Sequence, residues 1–301
     1  MNLHGFLPID KPSGWTSHDV VARLRRIIGT KRIGHAGTLD PAATGVLVTG
    51  IGRATRFLDF VQEGHKEYVA HVVLDTETDT ADVDGRIQRS ETRHPAPSHE
   101  QVTEALTRFV GDIDQIPPKY SAIKQGGEPI YRKARRGEQV EVSSRRVCVH
   151  DLTLLSYRHP DLVFSVSCSA GLYVRSLARD LGVALGTSAY LHHLLRTSVG
   201  PFVLDQCWSL ERFSDAFDSD SWPLLATSVD TALLEMTAFA MSGTDSTPWY
   251  HGRPVPLASN AQTSDETVRA YDSDGRFAGI GTAARHGNQA SVNPRTVITL
   301  R

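Results

Sequence analysis

The chain has 301 residues, 40% of them hydrophobic and 22% charged, with a formal net charge of −2. These are the proportions of a globular protein with core enough for two domains, and no apolar run is long enough to span a bilayer. Three scattered cysteines, Cys148, Cys168 and Cys207, make neither a disulfide framework nor a zinc-ligand spacing. The charge is uneven. Residues 11 to 56 hold eight Lys or Arg against two Asp, residues 119 to 146 hold eight against three Glu, and residues 205 to 235 reverse the sign. Local basic surfaces of this kind hold phosphates whatever the total charge.

In chain order, the N-terminal MNLHGFLPIDKP has neither the charged start nor the apolar stretch of a signal peptide, so a cytoplasmic protein is expected. Ser17 is placed to cap a helix through HDVVARLRRII, with Val20, Leu24, Ile27 and Ile28 as its stripe and Gly29 as its stop. A glycine-rich loop, GHAGTLDPAATG, holds Asp40, and the strand VLVTG follows. RATRFLDFVQEG reads as a helix ending at Gly64, and YVAHVVL as a strand with Tyr68, Ala70, Val72 and Leu74 on one side. LVFSVSCSA is a second strand with Cys168 on its apolar face. LYVRSLARDLGVAL is a helix presenting Val174, Leu177, Leu181 and Leu185 on one face. After about residue 235 the texture changes to short strands between Gly, Ser, Asn and Pro, which predicts a small β-rich appendage over 235–301 beside a main domain of 1–234.

Three local motifs imply other chemistry and fail on their context. VLVTGIGRAT offers Gly50 and Gly52 of a dinucleotide fingerprint, but Thr55 replaces the third glycine and no second βαβ half follows. TADVDGRIQRSE places Asp82, Asp84, Gly85 and Glu91 like a calcium loop, yet begins at Thr80 and follows a strand. As helix neighbours, His192 and His193 would face apart and make no metal pair, so no metal is expected. Asp40 itself, followed by Pro41, reads locally as a cap or turn residue.

Four blocks change that reading: IDKPSGWTS, GHAGTLDPAATG, KEYVAHVVL with its acidic TDTADVDG, and CSAGLYVRSLARDLG, in this order. Together they resemble the TruB family of tRNA pseudouridine synthases, which isomerise uridine 55 of the T loop, over most of the first 205 residues. The resemblance implies an α+β fold with a mixed, largely antiparallel central sheet flanked by helices, and a C-terminal PUA-like RNA-binding domain. It makes Asp40 the catalytic carboxylate, Arg175 its partner and Tyr68 the ring that stacks on the target base. Tyr173 and Leu194 would line the same pocket, His35 would stand near the position vacated by a flipped base, and Lys11 and Pro12 would support the catalytic loop. Asp82, Arg53, Lys124 and Arg196 complete the expected substrate contacts. The basic stretch 115–146, with Gly126, Gly127, Tyr120 and Tyr131, is expected to act as an arm on the T stem-loop. In LLRTSVGPF, Leu195 stands where the family often has a first arginine, which leaves Arg196 alone, and Tyr190 stands where a histidine is common.

The reaction implied is an isomerisation that needs no redox cofactor and no metal. The expected partner is tRNA, with no membrane, no obligate protein partner and a monomeric chain. Two alternatives stay open at this point: a guide-RNA-dependent relative, and a non-catalytic tRNA-binding or folding factor.

Overall fold

The computed structural model describes residues 3–91, 95–118, 142–218, 220–257, 265–286 and 289–298, with positions 124, 125, 128–130, 133, 136 and 138 between them. Gly126, Gly127, Tyr120 and Tyr131 of the expected arm lie outside the described residues.

The first half of the chain supplies strands β1 (Gly5–Lys11), β2 (Ile33–Ala36), β3 (Thr44–Ile51) and β4 (Lys66–Leu74). The short β5 (Thr76–Thr78) and β6 (Ile87–Ser90) form a separate hairpin, and β7 (Gly111–Gln115) follows. A two-residue pair, β8 (Lys124–Gln125) and β9 (Glu128–Pro129), precedes β10 (Arg145–Arg158), β11 (Asp161–Cys168), β12 (Ala189–Val199) and β13 (Phe202–Val203). The central sheet runs β1-β3-β12-β4-β11-β10-β7, with β2 on β3 and β13 on β12. Its pairings are antiparallel with one exception, β12 on β3, where Leu195 and Arg196 lie opposite Thr44 and Gly45.

Side-chain period explains the layers. In β4, Lys66, Tyr68, Ala70, Val72 and Leu74 all point inward, and the helices His99–Thr107 and Val174–Ala184 cover that face with Val102, Leu106, Leu177 and Leu181. The helix Ser17–Ile28 packs Val20, Val21, Leu24 and Ile28 against Leu7, Ile9 and Leu47 of the other flank. It ends at Gly29, whose φ of 72° suits a residue without Cβ.

The C-terminal region is a second, five-stranded sheet. Its strands are β14 (Ala238–Ala240), β15 (Val255–Pro256), β16 (Glu266–Tyr271), β17 (Phe277–His286) and β18 (Gln289–Val297), ordered β14-β16-β17-β18-β15. It is not a loose appendage. Phe277, Ile280 and Ile298 join Phe57, Val199, Phe202, Val229 and Leu233 in one buried cluster, with the Phe57 and Phe277 rings 5.5 Å apart. Arg56 donates to the Val297 carbonyl at 3.0 Å across the same junction.

Four local expectations are corrected. Thr16, not Ser17, caps the first helix, through a capping box closed by Asp19. Residues 52–63 form a 3-10 turn, Gly52–Phe57, followed by the short helix Leu58–Glu63 rather than one helix. The helix expected from Leu172 begins at Val174. His192 and His193 belong to β12, where a register shift between Leu191 and His193 leaves both exposed. No helix among the described residues is long and apolar enough to cross a membrane.

Candidate active site

Asp40 lies in the connection between β2 and β3, and the backbone of that connection is held from four directions. Leu39 N–H donates to Ser17 Oγ at 3.0 Å, which frees Ser17 from capping for a different task. The Pro41 carbonyl accepts from Gly14 N–H at 2.9 Å and from Lys11 Nζ at 3.1 Å. The Gly37 carbonyl accepts from Arg196 Nη2 at 3.2 Å. Lys11 is wholly buried, and its ammonium also reaches the carbonyls of Trp15 at 2.7 Å and Pro12 at 2.9 Å. Burial pushes this ammonium down to about 8, with the nearby Asp40 pulling the other way.

Arg175, on the first turn of the helix Val174–Ala184, reaches this loop from the opposite side. Its Nη2 donates to Asp40 Oδ1 at 3.3 Å, and its Nε lies 3.0 Å from Asp40 Oδ2 as an ionic contact without hydrogen-bond alignment, so one hydrogen bond and one close charge contact hold the carboxylate. The same guanidinium donates through Nη1 to Asp82 Oδ2 at 3.1 Å and to the Thr80 carbonyl at 3.3 Å. Asp82 is locked in turn by Thr80 Oγ1 at 2.5 Å and Asp84 N–H at 3.2 Å, both donating to its Oδ1. Two carboxylates therefore share one cation whose side chain is only 6% exposed, while the Asp40 side chain keeps 39% exposure. Asp40 is enclosed on its protein side and open at the mouth. Desolvation raises its pKa; Arg175 works against that rise, and Asp82 and Asp84 add to it.

The wall beside this pair is mostly apolar. Leu39, Ala43, Tyr68, Leu172 and Leu194 belong to one buried cluster. Burial raises the Tyr68 phenol above its usual range, opposed by the charge and hydrogen bond of Arg196, so the ring is neutral at physiological pH. Arg196, expected at the RNA surface, is almost completely buried, and its Nε donates to the Val46 carbonyl at 2.7 Å. A guanidinium so enclosed has no access to a phosphate at the surface; it braces the β2–β3 connection against β3. His35 on β2 is pushed down to about 4 by burial, His18 and Arg196, and its Nδ1 is buried with no hydrogen-bond partner among the described residues. Its ring meets His18 edge-on at 5.8 Å.

Tyr173 occupies the N-cap position of the helix that carries Arg175. Gln115, buried at the end of β7, holds both its backbone groups: Tyr173 N–H donates to Gln115 Oε1 at 2.8 Å, and Gln115 Nε2 donates to the Tyr173 carbonyl at 3.1 Å. The Arg145 guanidinium lies 4.5 Å over the Tyr173 ring and donates to the Gly171 carbonyl. Ser17, Thr80, Gln115 and Arg145 carry no local signal of a site. Only Ser17 was open to discovery, because Thr16-x-x-Asp19 spells a capping box and leaves the next hydroxyl free.

Arg53 is not brought to this place. Its N–H donates to His4 Nδ1 at 3.1 Å beyond the far end of β3, about 26 Å from the near end at ~3.3 Å per strand residue. Lys124 lies in β8, within the pairing Lys124–Pro129. Among the described residues, no group of three or more His, Cys, Asp or Glu is placed to hold a metal ion.

The mixed, largely antiparallel sheet, with the carboxylate–arginine pair formed in the connection just before β3, has the fold of the pseudouridine synthases. The fold is shared with a chain from an H/ACA ribonucleoprotein bound to a substrate RNA containing 2'-deoxyuridine, at a TM-score of 0.74 and 22% identity over 98% of this chain and 85% of the other. The sequence narrows the class, and the chain belongs to the TruB family. Residues 25–174 match the N-terminal domain of TruB family pseudouridylate synthase, 175–236 the C-terminal domain of tRNA pseudouridylate synthase B, and 238–298 the C-terminal region of pseudouridine synthase II TruB. The tRNA pseudouridine synthase B of Gloeobacter violaceus is 45% identical over 258 residues, covering 84% of this chain and 87% of its own. That of Synechococcus elongatus is 40% identical over 289 residues, covering 94% and 96%. That of Thermobifida fusca is 47% identical over 223 residues, covering 71% and 75%.

Proposed function

We propose that the protein converts uridine 55 in the T loop of tRNA to pseudouridine, acting alone and in the cytoplasm. The observation that carries this reading is the gripped carboxylate: Asp40, open at its mouth, held in two places by a buried Arg175 that Asp82 also anchors. The reaction breaks the N1–C1′ bond, turns the uracil and joins C5 to C1′, while the C5 proton leaves and N1 regains one. Atoms and electrons balance within the substrate. Attack of a carboxylate on C1′ and removal of the 2′ proton to give a glycal both require that carboxylate ionised and aimed, and Arg175 favours both conditions.

In this reading Tyr68 stacks on the extruded base, and Leu194 and Tyr173 form walls that exclude water from the glycosyl intermediate. Neutral His35, with its free Nδ1, stands near the position the base vacates. Lys11, Pro12 and Arg196 hold the loop. The basic segment 115–146 and the C-terminal domain 235–301 supply contacts to the folded RNA, mostly to phosphates, 2′-hydroxyls and shape.

The test is primer extension for pseudouridine on unmodified tRNA incubated with the pure protein in the presence of EDTA, without nucleotide or guide RNA. Conversion at position 55 is expected, and an isolated T stem-loop suffices. Conversion only after addition of a guide RNA would establish the guide-dependent alternative instead.

A further inference from the structure

The helix Ser17–Ile28 buries one stripe and turns another outward. Asp19, Ala22, Arg23 and Arg26 follow at helical spacings on that outer stripe, and Trp15 stands just before the first turn. With Gly14 they line a groove of about 290 Å³. Trp15 is 37% exposed, whereas Trp222 and Trp249 are buried. Arg23 and Arg26 are exposed and make neither an ion pair nor a side-chain hydrogen bond among the described residues, unlike Arg25, which donates to the Ile33 carbonyl at 2.9 Å. The single acid of the groove is already engaged: Asp19 accepts from Thr16 N–H at 2.9 Å and from Thr16 Oγ1 at 2.6 Å. Arg26 complements the negative end of the helix. That explains neither Arg23 nor an indole left in water.

The groove begins at the catalytic loop. The Lys11 ammonium that holds the Trp15 carbonyl also holds the carbonyl of Pro41, next to Asp40. At ~1.5 Å per residue the helix carries the line on to Arg26, about 16 Å further. Residues 17–34 contain five Lys or Arg and one acid, a charge that complements a polyanion. We infer that this groove takes a nucleotide of the substrate RNA outside the reacting uridine, with its base stacked on Trp15 and neighbouring phosphates on Arg23 and Arg26. The inference rests on the reading of tRNA as substrate.

The test is titration of the full-length protein with unmodified tRNA, read by tryptophan fluorescence and by filter binding at several salt concentrations. The unaltered protein's isomerase activity is measured alongside. Binding quenches the fluorescence of the parent, and Trp15→Ala loses that quench and binds about tenfold more weakly, equivalent to about 1.4 kcal/mol. Arg23→Gln with Arg26→Gln lowers the slope of log affinity against log salt by about 1.4, or ~0.7 for each phosphate that the protein no longer neutralises. Circular dichroism melts establish that both variants are folded, as expected for exposed positions. If the parent isomerises tRNA normally, yet Trp15→Ala keeps the quench and both variants keep the parent's affinity and salt slope, this inference falls alone. If the parent binds no tRNA, it falls together with the proposed function.

Discussion

Replacing Asp40 by Asn separates a catalytic carboxylate from a turn residue, because Asn serves nearly as well as Asp in caps and turns. The structural cost is small. Arg175 keeps Asp82 at 3.1 Å and the Thr80 carbonyl at 3.3 Å, so the substitution orphans no buried cation. Burial already raises the Asp40 pKa, with Arg175 opposing. A group with a raised folded pKa contributes its stability in full below the unfolded value, and loses it as pH rises through the folded value. The Asn variant escapes that loss, so its melting temperature relative to the parent moves upward from pH 4 to pH 7. The net change at pH 7 stays within about 1 kcal/mol, or about 2–4 °C. Activity behaves differently. Losing the charge that acts at the sugar is expected to slow the chemical step by at least about a thousandfold, roughly 4 kcal/mol of barrier. The assay is single-turnover release of tritium from tRNA labelled at uridine C5, since that hydrogen leaves as C5 joins C1′. Filter binding on the same samples should give an unchanged affinity. A folded variant that binds RNA and releases tritium within tenfold of the parent rate would refute the assignment and make Asp40 a turn residue.

Arg175→Gln removes the charge that opposes the raised Asp40 pKa, so the acid limb of the single-turnover pH profile should move to higher pH; a limb that stays in place would show that the pair is not coupled. Lys11→Met leaves the Pro12 and Trp15 carbonyls without their donor, while the Pro41 carbonyl keeps Gly14 N–H; at about 1 kcal/mol each, this should lower the melting temperature by about 4–8 °C. The folded pKa of Lys11 is lowered to about 8, so the parent should gain stability as pH rises from 8 to about 10.5. The Met variant should lack that gain, and parallel stability curves would contradict it. Deleting residues 235–301 removes Phe277, Ile280 and Ile298 from a shared core, at about 2 kcal/mol per buried side chain. Calorimetry should show a fall of more than about 10 °C, and an unchanged transition would mean that the two sheets fold independently.

Side-chain period made the framework legible. The alternation from Tyr68 to Leu74 and the apolar stripe of the first helix survive in the structure because each buries one face. Asp40 was not decidable locally, since a turn aspartate and a catalytic one share Pro41 and the same glycines. Its pairing with Arg175, 135 residues away, is the observation that favours the catalytic reading. The family resemblance carries a substrate-contact role to Arg196, but the parallel junction of β12 with β3 encloses it. His192 and His193 read as helical because the register shift after Leu191 hides the strand's period. Gln115 was invisible as a support because its partners are backbone groups of a distant segment, which have no residue signature.

The span between Asp40 and Arg175 also sets a clock. At roughly 5–20 residues per second of synthesis, the carboxylate is made roughly 7–27 s before its guanidinium. The parallel junction needs Leu195 and Arg196 as well, so β3 waits still longer for the neighbour that encloses its first residues. Contacts so distant in the chain close late in folding. A truncated or half-made chain therefore carries the GHAGTLDPAATG loop without the grip that aims Asp40. On the proposed role of Asp40, catalytic competence arrives only when β12 completes the central sheet, and a nascent chain would not turn over RNA while it is still being translated through its middle.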